Sequence, residues 1–251
     1  MTPPLPATMA PRMSEKPIAR RERLIVALDV PTSEQARALV RELGESAQFY
    51  KLGLELWLSE GFSALVSELI DQGKKVFADL KFFDVPETVA AAVRQMRGRG
   101  VSLLTVHGNQ SILEAACREK GELGILGVTV LTSFDREDLH DLGVPASISV
   151  EDLVLSRARR ALQAGCDGVI SSGLEAKRLR DELGARLLVV SPGIRPFENR
   201  LADHHKRVMT DRDAFLAGAD YVVVGRPIRN APSPREAAER IQATIAELFP
   251  T

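Results

Sequence analysis

Short apolar segments alternate with amphipathic segments along most of the chain. Each apolar segment is short enough to be a β-strand and is followed by a polar residue or a glycine. Eight such segments predict strands at Leu24–Leu28, Phe49–Leu54, Lys75–Ala78, Ser102–Val106, Ile125–Leu131, Gly168–Ile170, Leu187–Val190 and Tyr221–Val224.

Amphipathic helices are predicted between these strands. The clearest helical faces have apolar residues at i, i+3, i+4 and i+7, namely Ala36, Leu39, Val40 and Leu43 and, in the next unit, Phe62, Leu65, Val66 and Leu69. The spacing is weaker at residues 154–162 and returns at residues 237–248. Each set describes one buried face of a helix.

The order of these segments predicts a (β/α)8 TIM barrel, built as a single domain over residues 23–251. The strand segments are apolar on both faces, as in parallel sheets that are covered by helices. Between Asp29 and Gly225 they recur about every 28 residues, which is close to the length of one strand–helix unit. A doubly wound open sheet is the alternative, but it favours an early glycine-rich turn, and residues 29–33 contain no glycine.

The first 22 residues differ from the rest of the chain. They are rich in proline and lack a continuous apolar stretch, so residues 1–22 are expected to form a disordered N-terminal tail rather than a secretory signal. The folded part of the chain is therefore predicted to begin near Arg23.

Charge and cysteine content exclude several classes of function. The chain has 33 Lys and Arg against 34 Asp and Glu, a net charge of -1, so no global positive field favours nucleic acid or an anionic membrane. No apolar run reaches the roughly 20 residues that span a bilayer. The two cysteines are too few for a disulfide framework or a four-ligand metal site, and their scarcity is typical of a reducing compartment. We expect a cytoplasmic protein.

The densest group of charged residues lies at residues 76–88, VFADLKFFDVPET. Asp79 and Lys81 are two residues apart at a strand end, so their side chains are expected on one face of the strand. Lys51 lies at the end of the preceding strand, and Asp84 follows on the next loop. Active sites of such barrels lie at the C-terminal strand ends, where these four charges are expected to converge. They predict either a functional site or a salt-bridge network that closes this end of the barrel.

The seventh and eighth units supply a candidate phosphate site. SPGIRP at residues 191–196 and GRPI at residues 225–228 follow the last two strands, where this fold commonly binds phosphate. Gly193 and Gly225 allow backbone N–H groups to approach an anion, and the guanidinium of Arg226 fits phosphate oxygens. The alternative is that both loops are plain turns with solvated arginines.

The segment DLKFFDVPET at residues 79–88 resembles the hallmark of the orotidine 5′-phosphate decarboxylase family, Asp-x-Lys-x-x-Asp-Ile/Val-Pro-x-Thr. The resemblance covers the folded part of the chain, because further family motifs follow in order and at suitable spacing. These are ALD at 27–29, YKLGLEL at 50–56, VLTS at 130–133, SPGIRP at 191–196 and YVVVGRPI at 221–228. The resemblance implies decarboxylation of orotidine 5′-phosphate, the last step of uridine 5′-phosphate synthesis, without a metal ion or a cofactor.

The resemblance also assigns a role to each candidate residue. Lys81 matches the proton donor, in a charge array with Lys51, Asp79 and Asp84. The implied substrate contacts are Asp29, Lys51 and Thr88 at the ribose, Thr132 at the pyrimidine, Arg195, Gly225 and Arg226 at the phosphate, and in addition Asp79, Pro192 and His205. In the family, the residues that match Asp84 and Thr88 reach into the partner subunit's site, which implies a homodimer.

The chain departs from the family pattern in the loop at residues 203–208, DHHKRV, where the family usually has Asp-Gln-Arg-Arg. Counting back from the Lys-Arg pair places His205 at the glutamine position, whereas counting forward from the seventh strand places His204 there. Phe83 and Glu87 replace the common His and Asn of the hallmark, at positions not expected to touch the reacting centre.

Two other functions are alternatives to this interpretation. A metal-dependent relative that resembles the 3-keto-gulonate 6-phosphate decarboxylase and hexulose-phosphate synthase group would hold Mg²⁺ with an acidic residue at the second strand end. This chain has the cation Lys51 there, which argues against a metal. A non-catalytic sensor of phosphorylated ligands would have no reason to keep two lysines and two aspartates buried together.

Overall fold

The computed structural model describes residues 13–195 and 209–250, and these form a closed barrel of parallel strands. The strands are β1 (Leu24–Ala27), β2 (Phe49–Gly53), β3 (Lys75–Phe82), β4 (Leu103–Val106), β5 (Gly124–Val128), β6 (Gly168–Ile170), β7 (Leu188–Ser191) and β8 (Tyr221–Val224). Each strand pairs with the next one along the chain, and β8 pairs with β1. The predicted (β/α)8 TIM barrel is confirmed.

Helices follow the strands and cover the outside of the barrel. They are α1 (Ser33–Leu43), α2 (Leu54–Trp57), α3 (Phe62–Asp71), α4 (Pro86–Arg97), α5 (Gln110–Glu119), α6 (Arg136–Asp141), α7 (Val150–Gln163), α8 (Gly173–Leu183), α9 (Asp211–Leu216), α10 (Arg226–Arg229) and α11 (Pro234–Leu248). The apolar faces predicted for α1 and α3 are buried. Among the described residues, none of the helices has the length and apolar character needed to cross a membrane.

The strands are apolar on both faces because the barrel has two cores. Ile25, Phe49 and Phe77 point inward and form, with residues of the other strands, a cluster inside the barrel. Their neighbours Leu24 and Val26 belong to the larger cluster between the strands and the helices. Alternate residues of one strand therefore serve different cores, as period-two side-chain direction requires.

β3 is longer than the apolar pattern predicts, because it continues past Ala78 to Phe82. Its pairing with β4 joins Ala78 to Leu104 and resumes only at Phe82 with Val106, so the chain bulges between these points. Because the bulge contains polar residues, the apolar pattern did not predict this extension. The bulge lies at the C-terminal end of the barrel. Most other strand bounds agree with the prediction to within a few residues.

The disordered tail predicted for residues 1–22 is wrong for the part of it that the structure describes. The hydroxyl of Ser14 donates a hydrogen bond to the carboxylate of Asp220, and Lys16 Nζ lies 3.0 Å from the same carboxylate. Ile18 packs against the cluster inside the barrel. Composition alone could not reveal this, because a few specific contacts rather than an apolar pattern hold the segment. Residues 1–12 lie outside the described residues.

Candidate active site

A cavity of about 290 Å³ opens at the C-terminal ends of the strands. It brings together most of the residues predicted for the site, namely Asp29, Lys51, Asp79, Lys81, Thr132, Pro192, Arg195, Gly225 and Arg226. Apolar side chains, among them Val128, Ile170 and Val223, form the rest of its wall. An apolar cavity with a few convergent charged groups is typical of a small-molecule site.

Four charged side chains alternate in sign along one side of this cavity. Lys51 Nζ lies 2.7 Å from Asp29 Oδ1 and 3.6 Å from Asp79 Oδ2. Lys81 Nζ lies 2.8 Å from Asp79 Oδ1. The strand register produces this order, because Lys51 pairs with Ala27 of β1 and Gly53 of β2 pairs with Asp79. The array therefore runs Asp29, Lys51, Asp79, Lys81.

Asp79 is the electrostatic centre of the array. Burial by itself would raise the pKa of its carboxyl group, but the charges of Lys51 and Lys81, together with hydrogen bonds from Lys81 and Thr105, outweigh burial and lower that pKa below its usual value. The group is therefore a carboxylate at neutral pH, held in place on both oxygens.

The backbone of Lys81 has a conformation that the sequence did not predict. Its φ is 48°, in the left-handed region, and no other non-glycine residue of the described chain has a positive φ. Asp79 and Lys81 do meet, as predicted, but through the bulge rather than through the regular alternation of a strand. Thr105 of β4, which sequence reasoning passed over as part of an apolar strand, contacts both residues.

The predicted phosphate-binding residues line the same cavity. Arg226 follows Gly225 directly after β8, and both line the cavity. A Cβ on Gly225 would lie 3.4 Å from Ala27 Cβ and 3.6 Å from Asp29 Oδ2, so a larger residue would narrow the site. Arg195 is buried, and its backbone N–H donates to Met209 O at 3.0 Å. Two arginines thus lie where an anion has room to bind.

Comparison with known proteins agrees with this geometry. The profile of the "Orotidine 5'-phosphate decarboxylase / HUMPS family" matches residues 22–241. The chain belongs to this family. A relative named orotidine 5'-phosphate decarboxylase, from Methylococcus capsulatus, is 60% identical over 237 residues, which are 94% of this chain and 97% of the relative. One of the same name from Nitrobacter winogradskyi is 50% identical over 90% of this chain and 94% of its own length.

Solved structures of the family share the fold. The crystal structure of orotidine 5'-phosphate decarboxylase from Lactobacillus acidophilus matches with a TM-score of 0.79 at 33% identity, over 89% of this chain and 99% of that one. The enzyme of the same name from Pyrococcus horikoshii matches with a TM-score of 0.71 at 28% identity, over 88% of this chain and 98% of its own. The chain is an enzyme of the carboxy-lyase class.

Two residues of the family's hallmark segment do not reach the cavity of their own chain. Asp84 and Thr88 are exposed, and Asp84 Oδ1 accepts a hydrogen bond from the N–H of Val85 at 2.6 Å. Asp84, which was expected to converge with Lys51, Asp79 and Lys81, does not line the cavity of its own chain. Asp29 completes the array instead. His205 lies outside the described residues.

Proposed function

We propose that the protein decarboxylates orotidine 5′-phosphate to uridine 5′-phosphate without a metal ion, and that Lys81 is the proton donor. One observation carries the proposal. The ammonium of Lys81 and the carboxylate of Asp79 are 2.8 Å apart on the wall of a cavity that Arg226 also lines. A phosphorylated pyrimidine nucleoside would place its phosphate at one side and its ring at the other.

The reaction requires electrostatic stabilisation of the transition state rather than covalent catalysis. When the bond between C6 and the carboxyl carbon breaks, CO2 leaves and the electron pair remains on C6. That pair lies in the plane of the ring, so the ring carbonyls do not delocalise it. The ammonium of Lys81 stabilises the pair and then gives it a proton, which forms the C6–H bond of the product. The Lys81 amine then takes up a proton from water, so the net reaction consumes one proton and releases CO2.

Asp79 has two consequences for this step. Its negative charge keeps the ammonium of Lys81 beside the reacting carbon, because the two groups are hydrogen-bonded. It also repels the substrate carboxylate, by about 4 kcal/mol for charges 4 Å apart at an effective dielectric near 20, and that repulsion ends as CO2 departs. Stabilisation of the transition state by Lys81 is the larger effect, because the ammonium is in place before the charge develops.

The remaining cavity residues suit the other parts of the nucleotide. Asp29 and Lys51, which are ion-paired at 2.7 Å, would contact the ribose hydroxyls. Thr132 and Pro192 line the same cavity and would contact the pyrimidine side. Binding energy from the phosphate at Arg226 would hold the ring against the array, which is how remote contacts assist a reacting centre.

A second copy of the chain would complete the site. Asp84 and Thr88 are exposed here, and the flanking Phe83 and Val85 are 70% and 63% exposed. Large apolar residues exposed beside a polar pair fit burial against a partner subunit. In the proposed homodimer, Asp84 and Thr88 enter the partner's cavity. The cytoplasmic location stays a prediction, as does the absence of membrane and nucleic-acid partners.

The position of Lys51 argues against the metal-dependent reaction. In the metal-dependent reaction, an acidic side chain at the end of β2 would help to hold Mg²⁺. Here, Lys51 Nζ lies between Asp29 and Asp79, at 2.7 and 3.6 Å, so an ammonium occupies the place between the carboxylates that a cation would take. We therefore expect decarboxylation to proceed without Mg²⁺.

The proposed function is tested by following the loss of orotidine 5′-phosphate absorbance with purified protein, with and without EDTA. We expect rapid loss of absorbance in both samples. Lys75→Ala is the matched control for substitution of Lys81, since Lys75 lies at the other end of β3 and pairs with Glu22. It should keep wild-type turnover. No decarboxylation by the wild type would contradict the proposal, and turnover that appears only with Mg²⁺ would favour the metal-dependent reaction.

A further inference from the structure

Thr105 is the one residue of β4 whose side chain contacts two members of the charge array. It is fully buried. Its Oγ1 accepts a hydrogen bond from the backbone N–H of Lys81 at 2.9 Å and donates one to Asp79 Oδ1 at 3.0 Å. The hydroxyl therefore uses both its donor and its acceptor capacity on neighbouring residues of β3.

The bulge in β3 explains why Lys81 requires this contact. The ladder between β3 and β4 stops at Ala78 with Leu104 and resumes at Phe82 with Val106, so residues 79–81 stand opposite Thr105 alone. The N–H of Lys81 consequently meets a side-chain hydroxyl instead of a strand carbonyl. Without the hydroxyl, this partly buried N–H would lack a partner, which is unfavourable.

The conformation of Lys81 adds to this requirement. A φ of 48° in a non-glycine residue is unfavourable, and it persists only where the surroundings enforce it. The hydrogen bond to Thr105 is part of that enforcement. Because the same hydroxyl also holds Asp79 Oδ1, it fixes the main chain that carries the ammonium and the carboxylate beside it.

We propose that Thr105 is a positioning residue for the decarboxylation, which holds Lys81 and Asp79 at their reactive separation before substrate binds. The inference rests on the proposed function. Thr105 itself does not line the cavity, so it acts through its two partners. Electrostatic catalysis depends on groups that need no rearrangement when charge develops, and a misplacement of about 1 Å can reduce turnover about 100-fold.

The proposal predicts a change in the titration of Asp79. The groups that face it are Lys51 from β2, Lys81 from its own strand and Thr105 from β4, with Asp29 beyond Lys51. The pKa of His107, which follows β4, is lowered first by burial and then by the charges of Arg157 and Lys81. The Thr105 hydroxyl helps to lower the pKa of Asp79, so its removal should raise that pKa. The acid limb of the pH profile of kcat should then move to higher pH.

The test compares Thr105→Val, which removes the hydroxyl at nearly constant shape, with Thr105→Ser, which keeps it. Thr129→Val is the matched control, since Thr129 is also buried and donates to Ile170 O at 2.7 Å. We expect Thr105→Val to reduce kcat by about 100-fold with little change in KM, and to move the acid limb upward. Thr105→Ser should recover most of kcat, and Thr129→Val should behave like wild type.

Three results would overturn the proposal: unchanged kcat in Thr105→Val, a Thr105→Ser variant as poor as the valine variant, or an acid limb that does not move. If Thr105→Val does not fold, Thr105→Ala takes its place with the same expectations. If the wild type fails to decarboxylate the substrate, the proposed function falls. Thr105 is then judged by NMR titration of Asp79, whose pKa should rise in Thr105→Val and stay constant in Thr129→Val.

Discussion

The barrel carries a cluster of opposite charges at each of its two ends. The upper cluster, at the C-terminal strand ends, consists of Asp29, Lys51, Asp79 and Lys81. The lower cluster, at the N-terminal strand ends, consists of Ser14, Lys16, Arg180 and Asp220. Both clusters use aspartate and basic residues, but their surroundings differ.

The lower cluster is closed within one chain. The Asp220 carboxylate has no solvent exposure and accepts hydrogen bonds from Ser14, Lys16, Arg180 and the N–H of Val189. Hydrogen-bond donors, two of them cationic, thus surround this carboxylate. A buried carboxylate in this state stabilises the fold only while all its partners remain, because removing one leaves an uncompensated buried charge.

The upper cluster instead opens onto a cavity. The side chains of Lys81 and Asp29 are 33% and 47% exposed, and all four residues line the cavity wall. Such groups retain capacity to bind a ligand. Charge placement alone therefore does not separate a structural network from a reactive site. The adjoining cavity and the strained backbone of Lys81 do.

The largest effect is expected from Lys81→Ala. Loss of the proton donor and of its positive charge should reduce turnover by at least about 10⁴-fold. The free energy of unfolding should change little, because the cavity admits water to Asp79 once the ammonium is gone. Turnover is measured by the absorbance assay and stability by urea unfolding. Retention of more than a few per cent of wild-type turnover would contradict the role of Lys81.

The mirror experiment at the lower cluster is Asp220→Ala. It leaves Lys16, Arg180 and the N–H of Val189 without their carboxylate, and should lower the free energy of unfolding by about 3–5 kcal/mol. Turnover per folded molecule should not change. The exposed pair of Arg159 and Glu182 provides the control, since Glu182→Ala should cost less than about 1 kcal/mol. A loss of turnover in folded Asp220→Ala would contradict a purely structural role for the lower cluster.

Arg226→Ala should weaken capture of the phosphate and leave the chemistry intact. We expect kcat/KM to fall by an amount equivalent to about 2–4 kcal/mol. A substrate that lacks the phosphate serves as the control, and its kcat/KM should be nearly insensitive to the substitution. An equal loss on both substrates would show that Arg226 does not contact the phosphate.

The smallest effect is expected from removal of metal ions. Because an ammonium, that of Lys51, lies between the two carboxylates of the upper cluster, exhaustive dialysis against EDTA should leave turnover unchanged. Loss of turnover that Mg²⁺ restores would mean that the upper cluster is a metal site.

The sequence predicted the barrel and most of the upper cluster for a simple reason. Apolar strands that alternate with amphipathic helices reflect local periodicity, and the polar residue that follows each strand marks the C-terminal end of the barrel. Asp79, Lys81 and Lys51 meet as predicted. The salt-bridge network considered as the alternative for these residues is the arrangement that the lower cluster has.

The features that were missed depend on contacts between residues far apart in the chain. The backbone N–H of Lys81 in the bulge bonds to Thr105 of a neighbouring strand, and no local pattern signals a left-handed lysine. Ser14 and Lys16 are ordered by Asp220, which lies more than 200 positions further along. Asp84 is exposed and does not line the cavity of its own chain, which local spacing does not encode.

In the proposed homodimer, Asp84 of each chain joins the upper cluster of its partner. This claim is tested most directly by mixing Lys81→Ala with Asp84→Ala after each is shown to be nearly inactive. Subunits are exchanged in mild denaturant and then returned to buffer.

Half of the re-formed dimers should be mixed, and each mixed dimer should have one site with both substitutions and one with neither. About a quarter of wild-type activity should therefore return under two-fold symmetry. Activity no higher than the average of the two single variants would contradict the claim and place the action of Asp84 within its own chain.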